Sequence, residues 1–471
     1  MARNETAQTQ EYFERRSLKK GAAGWPLLMG LGVAYVISGD FSGWNYGIAY
    51  GGWLGLAIAF VLMGCMYVCT VLGEAEMSSA LPTAGAGFAF SRCAMGRFGG
   101  FLTGMAITVE YVCAPAAIST FIANYFLQLG IIPEDFPFLL LVGIIFIVFI
   151  GIHVFGVGEA LKLMLVITVV GAIALAAFAF GAAPHFDAAA LFDIAPDEGA
   201  TTALPFGVSG FLAALPFGIW FFLGVEGVAL AAEETKDPRR DIPKAIIGSM
   251  AVLIGTGLIV LVLAAGVTGS EFMGTSSAPL VDALNIANLP GLALFVNVAG
   301  LFGLVASFFS LIYAGSREIF ALSRAGYLPT FLSLTGSRKT PWVALLVQGV
   351  IGFALVVVVQ DGDVLLNMAV LGACLSYVLM NLSHVILRLR QPNMKRGWKT
   401  PGGALTTGVG LVLSAIAVVS TFFVDAIAST GIVCVLATGC VYFFVYARKR
   451  LISNAPEEEL YKLEGAGQEL R

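Results

Sequence analysis

Twelve apolar stretches, each close to the length a helix needs to cross a hydrocarbon core about 30 Å thick, recur along this chain. They lie near residues 25–50, 52–73, 98–129, 137–154, 157–181, 205–232, 243–268, 290–316, 341–360, 364–388, 404–424 and 427–447. Nothing else constrains the fold as strongly. In lipid every backbone polar group must be satisfied internally, and a helix does this within one segment. With 58% hydrophobic and 12% charged residues and a mean hydropathy of +0.89, the composition excludes a soluble globular domain. The reading is an all-α polytopic membrane protein.

The placement of Lys and Arg tests the count of spans independently, because these residues collect in cytoplasmic loops. Arg3, Arg15, Arg16, Lys19 and Lys20 precede span one; Arg92 and Arg97 follow span two; Lys162 follows span four, just inside span five. Lys236, Arg239, Arg240 and Lys244 follow span six, and Arg317, Arg324, Arg338 and Lys339 follow span eight. Arg388, Arg390, Lys395, Arg396 and Lys399 lie at or after the end of span ten, and Arg448, Lys449, Arg450, Lys462 and Arg471 follow span twelve. These are all 26 Lys and Arg residues of the chain. The loops after spans three, five, seven, nine and eleven hold none, which places both termini in the cytoplasm and the protein in the cytoplasmic (inner) membrane. Residues 1–24 read as a polar cytoplasmic arm and 448–471 as a solvated cytoplasmic tail. The first twenty residues lack the apolar core of a signal peptide.

Cofactor chemistry is not written in this chain. Seven cysteines include no C-x-x-C pair, the three histidines lack metal-ligand spacing, and there is no phosphate-binding G-x-x-x-x-G-K-[ST]. No metal site, no cofactor and no nucleic-acid partner is expected.

Two spans are interrupted. Span one contains "SGDFSG", with Asp40 between Gly39 and Gly43, and span six contains "FGIWFFLGVEGVAL", with Gly224 and Gly227 around Glu226. Irregular backbone at membrane depth is tolerated only where protein buries it or a wet cavity receives it. Two broken helices, each opening a group of five spans, point to an inverted-repeat secondary transporter. Spans one to five (25–181) form the first repeat, spans six to ten (205–390) its inverted partner, and spans eleven and twelve (404–447) are accessory. Gly55, Gly64, Gly300 and Gly303 read instead as helix-packing glycines.

The same residues carry a family likeness. "ISGDFSGWNYG" resembles the first-helix motif of the amino acid, polyamine and organocation (APC) transporters, and "FFLGVEGVALAAEETKDPRRDIPKAI" resembles their sixth helix and following loop. "SSALPTAGAGFAFSRCAMGRFGGFLTG" is similar to the approach to helix three, and "SREIFALSRAGYLP" to the loop after helix eight. The resemblance implies the five-plus-five inverted-repeat fold with broken helices one and six, working by alternating access, and a transporter rather than an enzyme. The loop "AEETKDPRRDIPKAI" reads as helix-start chemistry or part of an inner gate.

In amino-acid members of the family the first-helix motif receives the substrate carboxylate on backbone N–H groups. Here Asp40 stands where Ile is usual, and an ionised Asp about 4 Å from a carboxylate costs about 4 kcal/mol at an effective dielectric near 20. An ammonium suits the position better. The expected substrate-binding set is Ser38, Gly39, Asp40, Gly43, Glu110, Tyr111, Trp220, Phe221, Phe222, Gly224 and Glu226, with Asp40 opposite Glu226 and Trp44 and Tyr46 among rings available for cation–π contact. Glu110 and Tyr111 lie in "ITVEYVCAP", which resembles a Leu-Glu-Tyr of the cationic amino-acid branch. Each acid also has a structural reading: Asp40 as a half-helix cap, Glu110 as a packing acid held by a hydroxyl, and Glu226 as a brace for the broken sixth helix.

The combination looks most like the ethanolamine permeases, which implies import of a small organic amine. A cationic amino acid, a polyamine and choline remain alternatives, and a transporter-like receptor is a distant one. The expected partners are a small cationic amine and the lipid bilayer. The coupling ion stays open between H+ and Na+. Ser307 and Ser310 could contribute to a sodium site between helices one and eight, although serines in apolar helices more often bond their own backbone. The mid-helix-five Lys of some proton-coupled relatives falls at Gly171 here.

Overall fold

The computed structural model describes residues 12, 14–18, 21, 23–130, 132–133, 135–155, 158–452, 455–456 and 458, with the side chains of 155 and 158–164 outside the described set. Most of the amino-terminal arm and of the tail, and the Lys162 side chain, therefore lie outside it. Among the described residues every regular element is helical. Ten helices are long and apolar enough to cross a membrane, and two shorter apolar ones, Trp25–Phe41 and Phe138–Val154, complete twelve.

Glycines at positive φ make the sharp turns. Gly52 (φ 71°, ψ 171°) separates span one from span two inside the continuous helical stretch Tyr46–Ala80, one residue beyond the expected boundary. A Cβ there would stand 2.6 Å from Pro205 Cδ. Gly96 (φ 79°, ψ −169°) turns a helical approach beginning at Ala86 into span three, which ends at Gln128. Sequence reading took that approach for loop. Span eight runs from Pro290 to Arg324, beyond the expected end at 316, because Arg317 and Arg324 find acids within the fold.

The packing carries the repeat. The inner segment of span one, Trp25–Val36, packs on span seven, as the first half of span six, Gly207–Trp220, packs on the helix holding span two. Likewise span three packs on span ten and span eight on span five. Exchanging spans one and six, two and seven, three and eight, and five and ten turns each pair into its counterpart. Since five crossings is an odd number, a second copy must enter from the opposite face, so the repeat is inverted. Spans eleven and twelve lie outside this core, against spans two, three, six and ten.

The Lys- and Arg-bearing end, called here the basic face, also receives the described parts of both terminal arms. Leu18 and Ala455 join Phe88, Phe101, Tyr327 and Phe443 in a separate apolar cluster. Glu458 accepts two hydrogen bonds from Arg92, at 2.8 and 2.6 Å, and one from the Tyr327 hydroxyl at 2.9 Å. Both ends of the ion pair are 4% exposed. The solvated tail expected from composition is corrected at this point, because a buried guanidinium requires a counter-charge and the tail supplies it. Glu458→Ala is expected to strand Arg92 and cost about 3–5 kcal/mol, read as a lowered melting temperature of the purified protein in detergent, with Glu14→Ala on the exposed arm near neutral.

Candidate substrate site

The site begins with the backbone that span one gives up. After Ser38–Phe41 the chain becomes extended at Ser42 (φ −159°, ψ 154°) and reverses at Gly43 (φ 93°) before the helix resumes at Tyr46. Side chains from three other spans take up the exposed groups. Tyr125 of span three donates to the Phe41 carbonyl at 2.8 Å, Trp220 of span six donates to the Ser42 carbonyl at 3.0 Å, and the Ser38 N–H donates to the Ser307 hydroxyl of span eight at 3.1 Å. Asn45 then anchors the break by donating to the Met273 and Ser276 carbonyls, both at 2.8 Å. The contact with span six is close: a Cβ at Gly39 would lie 2.6 Å from the Trp220 carbonyl oxygen, and one at Gly43 would lie 2.8 Å from its indole nitrogen.

Span six breaks at Gly224 (φ 101°) and continues as a 3₁₀ helix, Val225–Glu234. Glu226 opens that helix. One of its oxygens accepts from Tyr111 of span three at 3.3 Å and from Tyr377 of span ten at 3.0 Å. Tyr377 is in turn hydrogen-bonded to Tyr67 of span two. Glu110 of span three neighbours Glu226, and Glu74 of span two is near enough for its charge to act on both. The second oxygen of Glu226 and both oxygens of Glu110 are buried without a hydrogen-bond partner.

Asp40 stands apart from that cluster. It is 1% exposed, neither carboxylate oxygen has a hydrogen-bond partner, and its neighbour Thr256 of span seven gives its own hydroxyl to the Val252 and Leu253 carbonyls. No backbone N–H reaches Asp40, so it does not cap a half-helix. The described hydrogen bonds tie Glu226 to spans three and ten, and none joins it to Asp40.

The expected aromatic wall also divides. Trp220 turns to the break and meets Phe121 edge-on, with ring centroids 6.2 Å apart, and Phe121 meets Tyr46 at 6.4 Å. Phe221 and Phe222 turn the other way, to Phe60 of span two at 5.0 and 5.1 Å, and Trp44 follows Phe221 at 5.6 Å. The structure thus brings Gly39, Gly43 and Trp220 together at one point. It gathers Glu110, Tyr111 and Glu226 at a second, and leaves Phe221 and Phe222 in packing roles. Residues that sequence reading missed are Thr256, Glu74, Tyr67, Tyr377 and Phe121. Only Glu74 had a signal, an acid directly at the end of an apolar run.

Toward the basic face the site is closed by paired charges. Arg324 holds Glu233 at 2.5 Å and Arg317 holds Glu234 at 3.2 Å. Tyr313 donates to Glu234 and its ring lies 3.6 Å beneath the Arg317 guanidinium. These pairs join the end of span six to the end of span eight.

A chain of twelve helices with broken first and sixth spans and a closed ion-paired gate matches one family over nearly its whole length: residues 27–446 fit the amino acid permease family. The chain belongs to that family. Its relatives include an uncharacterized transporter of Rhizobium meliloti, 28% identical, the alignment covering 88% of this chain and 89% of that protein. The branched-chain amino acid permease BcaP of Bacillus subtilis is 26% identical, with 92% and 94% covered, and a methylthioribose transporter of the same organism is 25% identical, with 91% and 92% covered. This permease is therefore a multi-pass membrane transporter and not an enzyme.

The break in span one depends on donors that no other group replaces. Tyr125→Phe is expected to orphan the Phe41 carbonyl at a cost of about 1–3 kcal/mol, seen as a lower melting temperature. Tyr442→Phe, whose bond to the Tyr327 carbonyl lies at the half-exposed edge of the basic face, is expected to cost less.

Proposed function

We propose that this permease imports a small organic amine, most simply ethanolamine, with Asp40 as the group that selects a cation. The observation that carries the reading is a carboxylate 1% exposed, set in the break of span one and lacking any hydrogen-bond partner. An isolated buried charge is costly, and it is neutralised either by a proton or by a cationic ligand. A primary ammonium brings three donors to such a carboxylate. A zwitterionic amino acid would bring its own carboxylate to this acid, at the repulsive cost given above.

In this reading the basic face is cytoplasmic, both arms lie in the cytoplasm, and the protein resides in the cytoplasmic membrane. Solute leaves when the Glu233–Arg324 and Glu234–Arg317 pairs part. The coupling ion is a proton held between Glu110 and Glu226, aided by the membrane potential, worth about 2.3 kcal/mol per charge per 100 mV. Sodium is less favoured because the Ser307 hydroxyl already donates to the Ala34 carbonyl at 2.6 Å while accepting from Ser38, so two would-be ligands satisfy each other.

Uptake of labelled ethanolamine into proteoliposomes tests the substrate. Saturable uptake, blocked by excess amine but not by alanine or leucine and reduced at least tenfold in Asp40→Asn, is the expected result. Strong competition by leucine together with an active Asp40→Asn protein would return the chain to the substrate class named for its relative BcaP. The coupling ion is read separately. An inward proton gradient is expected to stimulate the native protein, and Glu110→Gln is expected to transport at the rate seen without the gradient.

A further inference from the structure

On the basic face, away from the substrate site, the start of span one, the start of span seven and the connection between spans ten and eleven enclose a cavity of about 980 Å³. Its lining includes Arg239, Arg240 and Lys244 on the first turns of span seven, the indoles of Trp25 and Trp398, and one acid, Asp237. Arg239, Arg240 and Lys244 are exposed, and none has an ion-pair partner among the described residues. Other cations of this face are engaged: Arg92 with Glu458, Arg317 with Glu234, Arg324 with Glu233, and Arg388 and Arg396 with Glu76. Three cations without an ion-pair partner among the described residues thus border one concavity, with a single acid among its lining residues.

We propose that this cavity binds the headgroup of an anionic phospholipid from the leaflet at the basic face. Three things on the molecule select a lipid over a dissolved anion. The cavity reaches Ile247 and Gly248, past the charged first turns of span seven and into its apolar stretch, which suits an acyl chain better than a dissolved anion. Trp25, 44% exposed, and Trp398 flank it, and indoles favour the interface between headgroups and hydrocarbon. Its volume is several times what a phosphate group alone would fill. The three cations then meet the phosphodiester and any further negative charge of the headgroup, as basic pockets between spans do on the cytoplasmic side of membranes.

The position also ties the lipid to the moving parts. Ala23, two residues before Trp25, donates to the Glu234 carbonyl at 3.2 Å and accepts from the Lys236 N–H at 2.9 Å. A headgroup held by Trp25 and span seven would therefore brace the start of span one against the same segment that carries the Glu233 and Glu234 gate pairs.

Native mass spectrometry of the purified full-length protein reads the site. The protein is reconstituted in nanodiscs of phosphatidylcholine containing one-fifth phosphatidylglycerol and then released into mild detergent. The expected result is one retained phosphatidylglycerol per chain, with retention falling about fivefold for each of Arg239→Gln, Arg240→Gln and Lys244→Gln. Arg338→Gln with Arg448→Gln, on the same face but outside the cavity, should leave retention unchanged. Circular dichroism and elution volume confirm that the variants fold. Equal retention of phosphatidylcholine, unchanged retention in Arg239→Gln, Arg240→Gln and Lys244→Gln alike, or displacement of the lipid by millimolar inorganic phosphate would each overturn the assignment.

Discussion

Everything at the centre of this permease depends on how three carbonyl and amide groups of span one are satisfied once its helix stops. Within a bilayer a freed backbone group has no water to turn to, so the break can exist only where other spans deliver donors and acceptors to it. Tyr125, Trp220 and Ser307 do so from spans three, six and eight. The break is consequently a property of the assembled bundle and not of the segment that contains it. The glycines permit the close approach, and the hydrogen bonds from neighbouring spans hold it.

The twelve spans, their alternation and the two interruptions were legible because they follow from local quantities: apolar length, the side on which Lys and Arg fall, and glycine beside an acid. Many boundaries were read within a few residues, but the helix of span two runs on to Ala80, that of span three starts early at Ala86, and span eight extends where Arg317 and Arg324 find acids. The site was legible in its members but not in its arrangement. Successive helical residues point about 100° apart, so Gly39 meets Trp220 while Asp40 meets Thr256, and Trp220 meets the break while Phe221 and Phe222 meet span two. A motif read as one surface splits into several. Tyr67 and Tyr377 had no signal, because a tyrosine in an apolar helix looks the same whether it packs or holds a carboxylate.

The buried acids also divide into two kinds. Glu226 is held by two tyrosine hydroxyls and lies in the same electrostatic neighbourhood as Glu110 and Glu74, so it sits among other acids and phenols. Asp40 has no such company. A lone carboxylate in a break is a demand for something mobile and positive, whereas a cluster of carboxyls and phenols is a place to store a proton. In the function proposed above, solute and coupling ion would be recognised by different surfaces of the same pair of broken helices.

The pairing of Arg92 with Glu458 sets an order on how the molecule is made. The two residues lie on either side of almost the whole chain, so when span three first enters the membrane its arginine has no Glu458 to meet. The ion pair can therefore form only once the tail folds back onto the basic face. This joint is a late one, closed by nearly the last part of the chain to be made available to it.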